Sequence, residues 1–430
     1  MPSTNQVPHL QTALTGPLHE LEQHLLTQQS EIEAWFRQQF KQTPAPFYAS
    51  VDLRNAGYKL APVDTNLFPA GFNNLHPDLR PLAIQAAQNA VTAACPIADG
   101  VLIIPENHTR NTFYLENLAV LQDILLAAGY EVRIGTINPE IDQPTALTLE
   151  SGKTLQLEPL QRQDDRVGVA NFFPCAVLLN NDLSAGRPAI LEDLDQTLLP
   201  PLDLGWADRY KTEHFEHYQT ITQEFAQLID IDPWLITPLS LPCGPVDFKA
   251  RTGLETLADS VNQVLSQTQT YYDNHHIDCQ PFVIIKSDSG TYGMALMSVN
   301  TPEDVMRLNR KQRNKMSSAK EGRVAEQMLV QEGVYTFESI ESAVAEPVVY
   351  MIHNQVVGGF YRVHTGKTAT DNLNSPGMHF QPLSFQTACV TPDQSQSPDA
   401  SPNRFYAYGV VARLALLAAA REIDQAKRSV

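Results

Sequence analysis

Residues 100–136 constrain the fold more than any other stretch of the chain. GVLIIP (100–105) is a short, wholly apolar run, read as a strand buried on both faces. TFYLENLAVLQDILLAA (112–128) carries apolar residues at helical spacing, and Gly129 suits the position just beyond a helix end. YEVRIGTI (130–137) returns as a second apolar strand. Strand, helix and strand in so short a span make a βαβ unit, whose two strands must be parallel. CAVLLNND (175–182) adds a further buried strand with a polar C-terminal end. The fold class is therefore α/β. Ligands of open α/β sheets gather at strand C-termini, which makes Asn107–Asn111 and Asn180–Ser184 candidate substrate contacts as well as ordinary turn formers.

The flanking segments read differently. Residues 17–41 place Leu18, Leu21, Leu25, Ile32, Trp35, Phe36 and Phe40 near helical spacing, predicting one amphipathic helix. Residues 47–75 alternate apolar and polar residues and then turn rich in Asn, Pro and Gly, predicting two strands and a shaped loop. ALTLESGKTLQLEP (146–159) predicts a hairpin. From 281 onward come a strand and glycine-bearing loop, a basic helix starting near Thr301-Pro302, the strand LVQEGV (329–334) and a hairpin over 346–364 turning at Asn354-Gln355. A Pro/Ser/Asp loop over 390–403 precedes a final apolar-faced helix over 402–424. A chain of 430 residues exceeds one simple core. The expected division is 1–99, an N-terminal helix with the first part of a metal-site region; 100–275, an α/β substrate domain; and 276–430, a nucleotide-binding region.

A net charge of −18 argues against nucleic acid and anionic membrane surfaces as partners, since both demand basic patches. It leaves room for a locally positive pocket. The longest apolar runs, such as LALLAAA at 414–420, are too short to span a membrane, and no secretory signal precedes Arg37. Cys95, Cys175, Cys243, Cys279 and Cys389 are odd in number, scattered and without CxxC, predicting reduced thiols in the cytoplasm. His275-His276 reads as an exposed loop, not as a metal site.

Four features carry chemistry. In PFVIIKSDSGTYGM (281–294), a buried strand ends at Lys286 and opens into Asp288, Ser289, Gly290 and Gly293. Loop N–H groups can cradle phosphate, a lysine adds a point charge, and an aspartate can hold Mg²⁺. An ordinary glycine-containing turn fits the same residues. In APVDTNLFPAGFNNL (61–75), Asp64 and Asn66 at strand spacing i, i+2 would present two hard oxygens on one face. Arg54, in VDLRNAGYK, could reach that face. Gln331 to Val334 could form an adenine-side hinge, with Glu332 near the ribose. The basic residues from Arg307 to Arg323 fit either a solvated helix face or a lid over phosphates.

These parts together resemble an ATP-grasp domain. APVDTNLFPAGFNNL is similar to the metal motif of eukaryotic-type glutathione synthetases, in which an acidic residue, any residue and Asn bind Mg²⁺, with an arginine shortly before, here Arg54. Arg110-Asn111 resembles the Arg-Asn pair those enzymes carry at a helix start, and Asp64 stands where Glu is usual. As a whole the chain is similar to glutamate–cysteine ligases of the proteobacterial type. The resemblance implies ATP-dependent joining of the γ-carboxyl of L-glutamate to L-cysteine, with ATP and Mg²⁺ as cofactors, these small molecules as partners and a possible homo-oligomer. Another ligase of the same fold, such as a glutathione synthetase, and a non-catalytic nucleotide-binding protein are the alternatives. On this reading Asp64, Asn66 and Asp288 are the metal ligands, and Lys286 clamps phosphate with Ser289, Gly290 and Gly293. Gln331 and Glu332 flank the nucleotide. Arg54, Asn73, Arg110 and Asn111 meet substrate, and Arg362 is a second cation for phosphate or carboxylate. Asn372 and Asn374 are the fallback metal ligands.

Overall fold

The computed structural model describes residues 10–13, 15–107, 110–290, 295–317, 326–383 and 404–428. Three larger sheets organise them, beside a two-stranded pair, Gln161–Gln163 with Arg166–Gly168. The βαβ unit expands into a six-stranded sheet in the order Thr197–Leu199, Ala176–Asn180, Gly100–Pro105, Glu131–Thr136, Thr154–Pro159, Thr145–Thr148. The first five strands are parallel, and the last pairs antiparallel as the expected hairpin. Alternation splits its residues between two cores. Val101, Ile103, Ala176 and Leu178 pack with helices Arg80–Ala94 and Thr112–Ala127. Leu102, Ile104, Val177 and Leu179 pack into the main core.

The second sheet has seven strands and draws on both ends of the chain. Ala343–Ile352 and Gln355–His364 form its hairpin, with His379–Pro382 beside the latter. Tyr48–Asn55 pairs with Ala343–Ile352, and Leu60–Asn66 lies beyond it. Leu10–Gln11 and Ser339–Ile340 complete the edge. Ala49, Val51, Leu53, Val349, Met351 and Tyr361 face the main core, which the C-terminal helix Arg404–Arg428 enters as an almost wholly buried rod from Tyr406 to Ala420. That helix packs against Leu60–Asn66, Tyr48–Asn55 and helix Lys211–Ile229.

The third sheet is antiparallel, in the order Ser240–Val246, Glu326–Glu332, Val283–Ser287, Leu296–Val299. Val283, Ile285, Met328 and Val330 pack with Leu257, Val261 and Val264 of helix Leu254–Asn274. The sheet thus takes in a strand and a helix from the N-terminal side of the expected 275/276 division.

Three expectations change. The helix over 17–41 is two, Pro17–Thr27 and Gln29–Gln42. The break falls at Gln28, which ends the first helix and caps the second. The basic helix also divides, into Pro302–Met306 and Arg310–Met316, because Asn309 caps a new start with Gln312 reciprocating. Lys320 and Arg323 lie outside the described residues, as does the 390–403 loop.

The third correction concerns the cysteines. Cys95 and Cys175 form a disulfide, with Cα atoms 6.5 Å apart, joining the end of helix Arg80–Ala94 to the start of strand Ala176–Asn180. Eighty residues separate the two in sequence, so no spacing rule reveals the pairing. Cys243 and Cys279 are free, and Cys389 lies outside the described residues. The oxidised protein is expected to unfold about 2–4 kcal/mol less readily than the reduced protein, a difference that should vanish in Cys95→Ala. Denaturant titrations of both redox forms check it, and an equal gap in wild type and variant would rule it out.

Candidate functional site

Two adjoining cavities lie between the sheets, and both are lined by Asp52, Asp64 and Asn374. The lining follows from strand alternation. On the seven-stranded sheet, Ser50 and Asp52 stand beside Tyr350 and Val348, Val348 beside Phe360, and Glu346 beside Arg362. Asp52 also pairs across to Asp64. This face is turned away from the core that takes Val51, Leu53 and Val349. On the four-stranded sheet, Ile284, Lys286 and Gln331 face the cavity, while Ile285 and Val330 face the core.

The first cavity is a narrow cleft with a cationic wall. Lys286 is buried and donates to Val63 O at 2.6 Å. Burial lowers its pKa to about 8, with Lys211 and Arg54 adding to the fall and Asp64 opposing it. Lys211 is also buried, donates to Gly290 O at 2.7 Å, and has its pKa lowered by burial against the pull of Asp64. Arg54 lines the same cleft, but its guanidinium is engaged by Glu346 at 3.1 Å, by Val334 O and by Asp371 O. Gln331 is buried, and its Nε2 has no hydrogen-bond partner among the described residues. Glu332 also lines the cleft, but its carboxylate is taken by Lys59 at 2.6 Å, Trp234 Nε1 and Leu239 N. Asn372 and Asn374 line it too.

The second cavity is wider, about 870 Å³. Its floor is aromatic, with Tyr350, Phe360 and Phe380 in edge or tilted contact. Its polar groups include Glu106, Asp182, Asn66, Asn111 and Arg362. Arg362 is buried between Asp52, at 2.9 Å, and Glu346, at 2.5 Å. Burial works against its charge, but the two carboxylates outweigh that and hold its pKa above the usual arginine value. Asp52 in turn has a raised pKa, because burial outweighs the Arg362 contact. Asp64 accepts from Thr65 N at 3.1 Å and is only half-buried.

The expected residues divide accordingly. Arg54, Asp64, Lys286, Gly290, Gln331 and Glu332 meet in the cleft, and Asn66, Asn111 and Arg362 line the wider cavity. Asp288 is not among the residues lining either. Its carboxylate caps helix Lys211–Ile229, accepting from Thr212 N and Thr212 Oγ1, each at 2.8 Å. Gly290 N donates to Trp206 O at 3.3 Å, so this amide is engaged by the protein itself. Asn66 has its Oδ1 on Phe68 N at 2.8 Å. Asn111 caps helix Thr112–Ala127 through Tyr114 N. Ser289, Asn73 and Arg110 line neither cavity; Arg110 is exposed, and Asn74 takes the place expected for Asn73. The described basic residues at 307–315 line neither cavity. Gly293 lies outside the described residues.

Lys211, Asp52 and Glu346 escape sequence reasoning. Asp52 had a usable signal, since it shares a strand face with Arg54. Lys211 had none, because only the packing of DRYKTEHF against the 286–290 segment brings it to the cleft.

Among the described residues, no three His, Cys, Asp or Glu side chains are arranged to hold a metal ion, and no helix is long and apolar enough to cross a membrane. Comparison with known proteins adds the family. A family model for glutamate–cysteine ligase matches residues 22–423. A search of curated proteins finds no match. A crystal structure from Methylobacillus flagellatus KT, described as a candidate gamma-glutamylcysteine synthetase, is 59% identical with a TM-score of 0.91, covering 98% of this chain and 99% of that one. A glutathione-synthetase-like effector from Globodera pallida is 8% identical with a TM-score of 0.36, covering 85% of this chain and 80% of that one. D-alanyl-alanine synthetase A from Vibrio cholerae is 9% identical with a TM-score of 0.33, covering 73% and 80%. With a family match that spans nearly its whole length, the chain belongs to the glutamate–cysteine ligase family.

Proposed function

We propose that the protein is an ATP-dependent ligase on an ATP-grasp-like framework, joining the γ-carboxyl of L-glutamate to the amine of L-cysteine through γ-glutamyl phosphate. The observation that carries this is the meeting of a cationic cleft with a wider polar-and-aromatic cavity at Asp52, Asp64 and Asn374. A carboxylate is a poor acylating agent, and activating it requires one anion to attack another. On this reading Lys286 and Lys211, which both line the cleft, would neutralise the transferring phosphoryl group. Arg362 offers a guanidinium to a substrate carboxylate, and its Nε has no partner among the described residues. The orphan amide of Gln331 gives the nucleotide base a polar group to meet.

The residues also fit a divalent metal. Asp64, Asp52 and Asn374 supply hard carboxylate and amide oxygens at the junction, few enough that phosphate oxygens and water must complete the sphere, as Mg²⁺ prefers. Bound there, Mg²⁺ would neutralise phosphate charge. Asp64 is the best placed of the three, because Asp52 is already committed to Arg362. Asp288 is withdrawn to the helix cap. The cleft as described, about 90 Å³, is smaller than a nucleotide, so on this reading binding would need the site to widen. The reading places the enzyme in the cytoplasm with its ATP, where a Cys95–Cys175 disulfide would be uncommon.

Phosphate release is expected only when ATP, glutamate and cysteine are all present. Measuring it across amino-acid pairs tests the reading. A response to γ-glutamylcysteine plus glycine, with none to glutamate plus cysteine, would replace it by a glutathione synthetase; tight ATP binding without turnover would replace it by a binding protein.

A further inference from the structure

Three groups outside both cavities form a buried polar knot. Arg209, His214 and Glu422 are each more than nine-tenths buried. Arg209 grips Glu422 with Nε at 2.7 Å and Nη2 at 3.1 Å, a two-pronged contact that fixes the guanidinium plane. Its remaining nitrogen, Nη1, donates to Thr65 O at 2.6 Å. Thr65 lies between Asp64 and Asn66, the two polar residues that its strand sends toward the site. His214 Nδ1 also contacts Glu422. Burial lowers the His214 pKa, with Arg209 adding to the fall and Glu422 opposing it. Burial alone would raise the Glu422 carboxyl, and Arg209 with His214 instead pulls it down to about 2.

The same segment holds the 288–290 loop. Trp206 O accepts from Gly290 N, Lys211 N donates to Asp288 O at 2.9 Å, and Thr212 binds the Asp288 carboxylate. The Arg209 guanidinium and the Lys211 ammonium both lie against the Trp206 ring, at 5.2 Å and 4.4 Å from its centre. Residues 206–214 therefore tie three places together: the Asp64 strand, the start of the 288–290 loop, and the C-terminal helix. Stability alone is a weak reason for such a knot, since a buried ion pair is often no better than apolar packing of the same size. An apolar replacement would lack one thing, a directed donor for the Thr65 carbonyl.

We infer that Arg209 is a positioning residue for the metal-binding end of the site, with Glu422 setting its orientation; this rests on the proposed function. Neither residue lines either cavity. Arg209 acts by holding the backbone between Asp64 and Asn66, and through residues 206–212 it keeps that strand in register with Lys211 and the loop.

The test uses the full-length protein with Mn²⁺ and a non-hydrolysable ATP analogue, followed by electron paramagnetic resonance. Arg209→Lys keeps the charge and loses the fork. Glu422→Gln keeps the shape and loses the anion, and it carries the test should the first variant fail to fold. Folded variants are expected to bind Mn²⁺ in the ternary complex about 10-fold more weakly, in the range seen when groups that orient metal ligands are removed. Affinity for the nucleotide analogue without metal, and the KM for cysteine, should stay within twofold. Variants that fold and bind Mn²⁺ as wild type does would overturn the inference while leaving the proposed function standing. Wild-type protein that shows no metal-dependent nucleotide binding would overturn both.

Discussion

Lys286→Ala is expected to lower kcat/KM for ATP by about a thousandfold, the scale on which a single cation or donor at a reacting group acts. The side chain is buried, lines the cleft and rests on the Val63 carbonyl, so nothing mobile can take its place. Lys211 occupies a different position, with its ammonium on the Gly290 carbonyl, so it should compensate only in part. Coupled measurement of ADP release against ATP concentration gives the number, and a folded variant with near-normal kcat/KM would remove Lys286 from the mechanism. The pH dependence supplies a second signature. Burial lowers the Lys286 pKa from 10.5 to about 8. The charge needed to meet phosphate is thus lost above pH 8 in the free enzyme, giving kcat/KM an alkaline limb there. Stability should move the opposite way. Between pH 8 and 10.5 the unfolded chain still holds this proton and the native protein has released it, so stability rises with pH across that window. Lys59 also has a pKa lowered to about 8 by burial, but it is paired with Glu332. Lys286→Arg separates the two, since an arginine stays charged and should carry the activity limb to higher pH. A limb unmoved in that variant would assign it elsewhere.

How much of this is legible in the sequence depends on whether a residue's role is local. The βαβ unit, the 146–159 hairpin and the 346–364 hairpin follow from periodicity, because each element's pattern is set by the face it buries. Asp64 and Asn66 share a strand by simple i, i+2 logic, and both line the wider cavity. Asp288 shows where local logic stops. From sequence it is a carboxylate two residues beyond a phosphate-binding lysine; in the fold its oxygens are spent on Thr212, which approaches from far back in the chain. Glu332 is similar, drawn inward by Lys59 and Trp234. Lys211, the Cys95–Cys175 pair and the Arg209–Glu422 contact depend wholly on tertiary packing, and no spacing announces them. A buried polar group goes to whichever partner satisfies it, and for these residues the partner lies in another element. The 17–41 helix divides at Gln28, a break that the apolar spacing does not announce.

Asp64→Ala should be the most damaging change on the opposite wall. Asp64 is the carboxylate common to both cavities that no arginine or lysine contacts directly, and its hydrogen bond among the described residues is the one from its neighbour's amide. A residue that would itself touch the ion should exceed the about 10- to 100-fold losses caused by groups that only orient such ligands. Mn²⁺ binding in the presence of a non-hydrolysable nucleotide is therefore expected to weaken by more than about a hundredfold, with turnover falling in step. The change should also reach the facing wall. Asp64 is the leading acidic influence opposing the burial-driven fall in the pKa of both Lys286 and Lys211. Without it the Lys286 ammonium has less reason to stay protonated, so whatever activity remains should show its alkaline limb below pH 8. Asp64→Asn keeps the shape and a neutral oxygen but not the charge, and should show the same downward limb with a milder loss of Mn²⁺. A pH profile with the limb unchanged in both variants would mean that Asp64 and Lys286 do not act across one site, and full turnover in Asp64→Ala would remove it from the metal set.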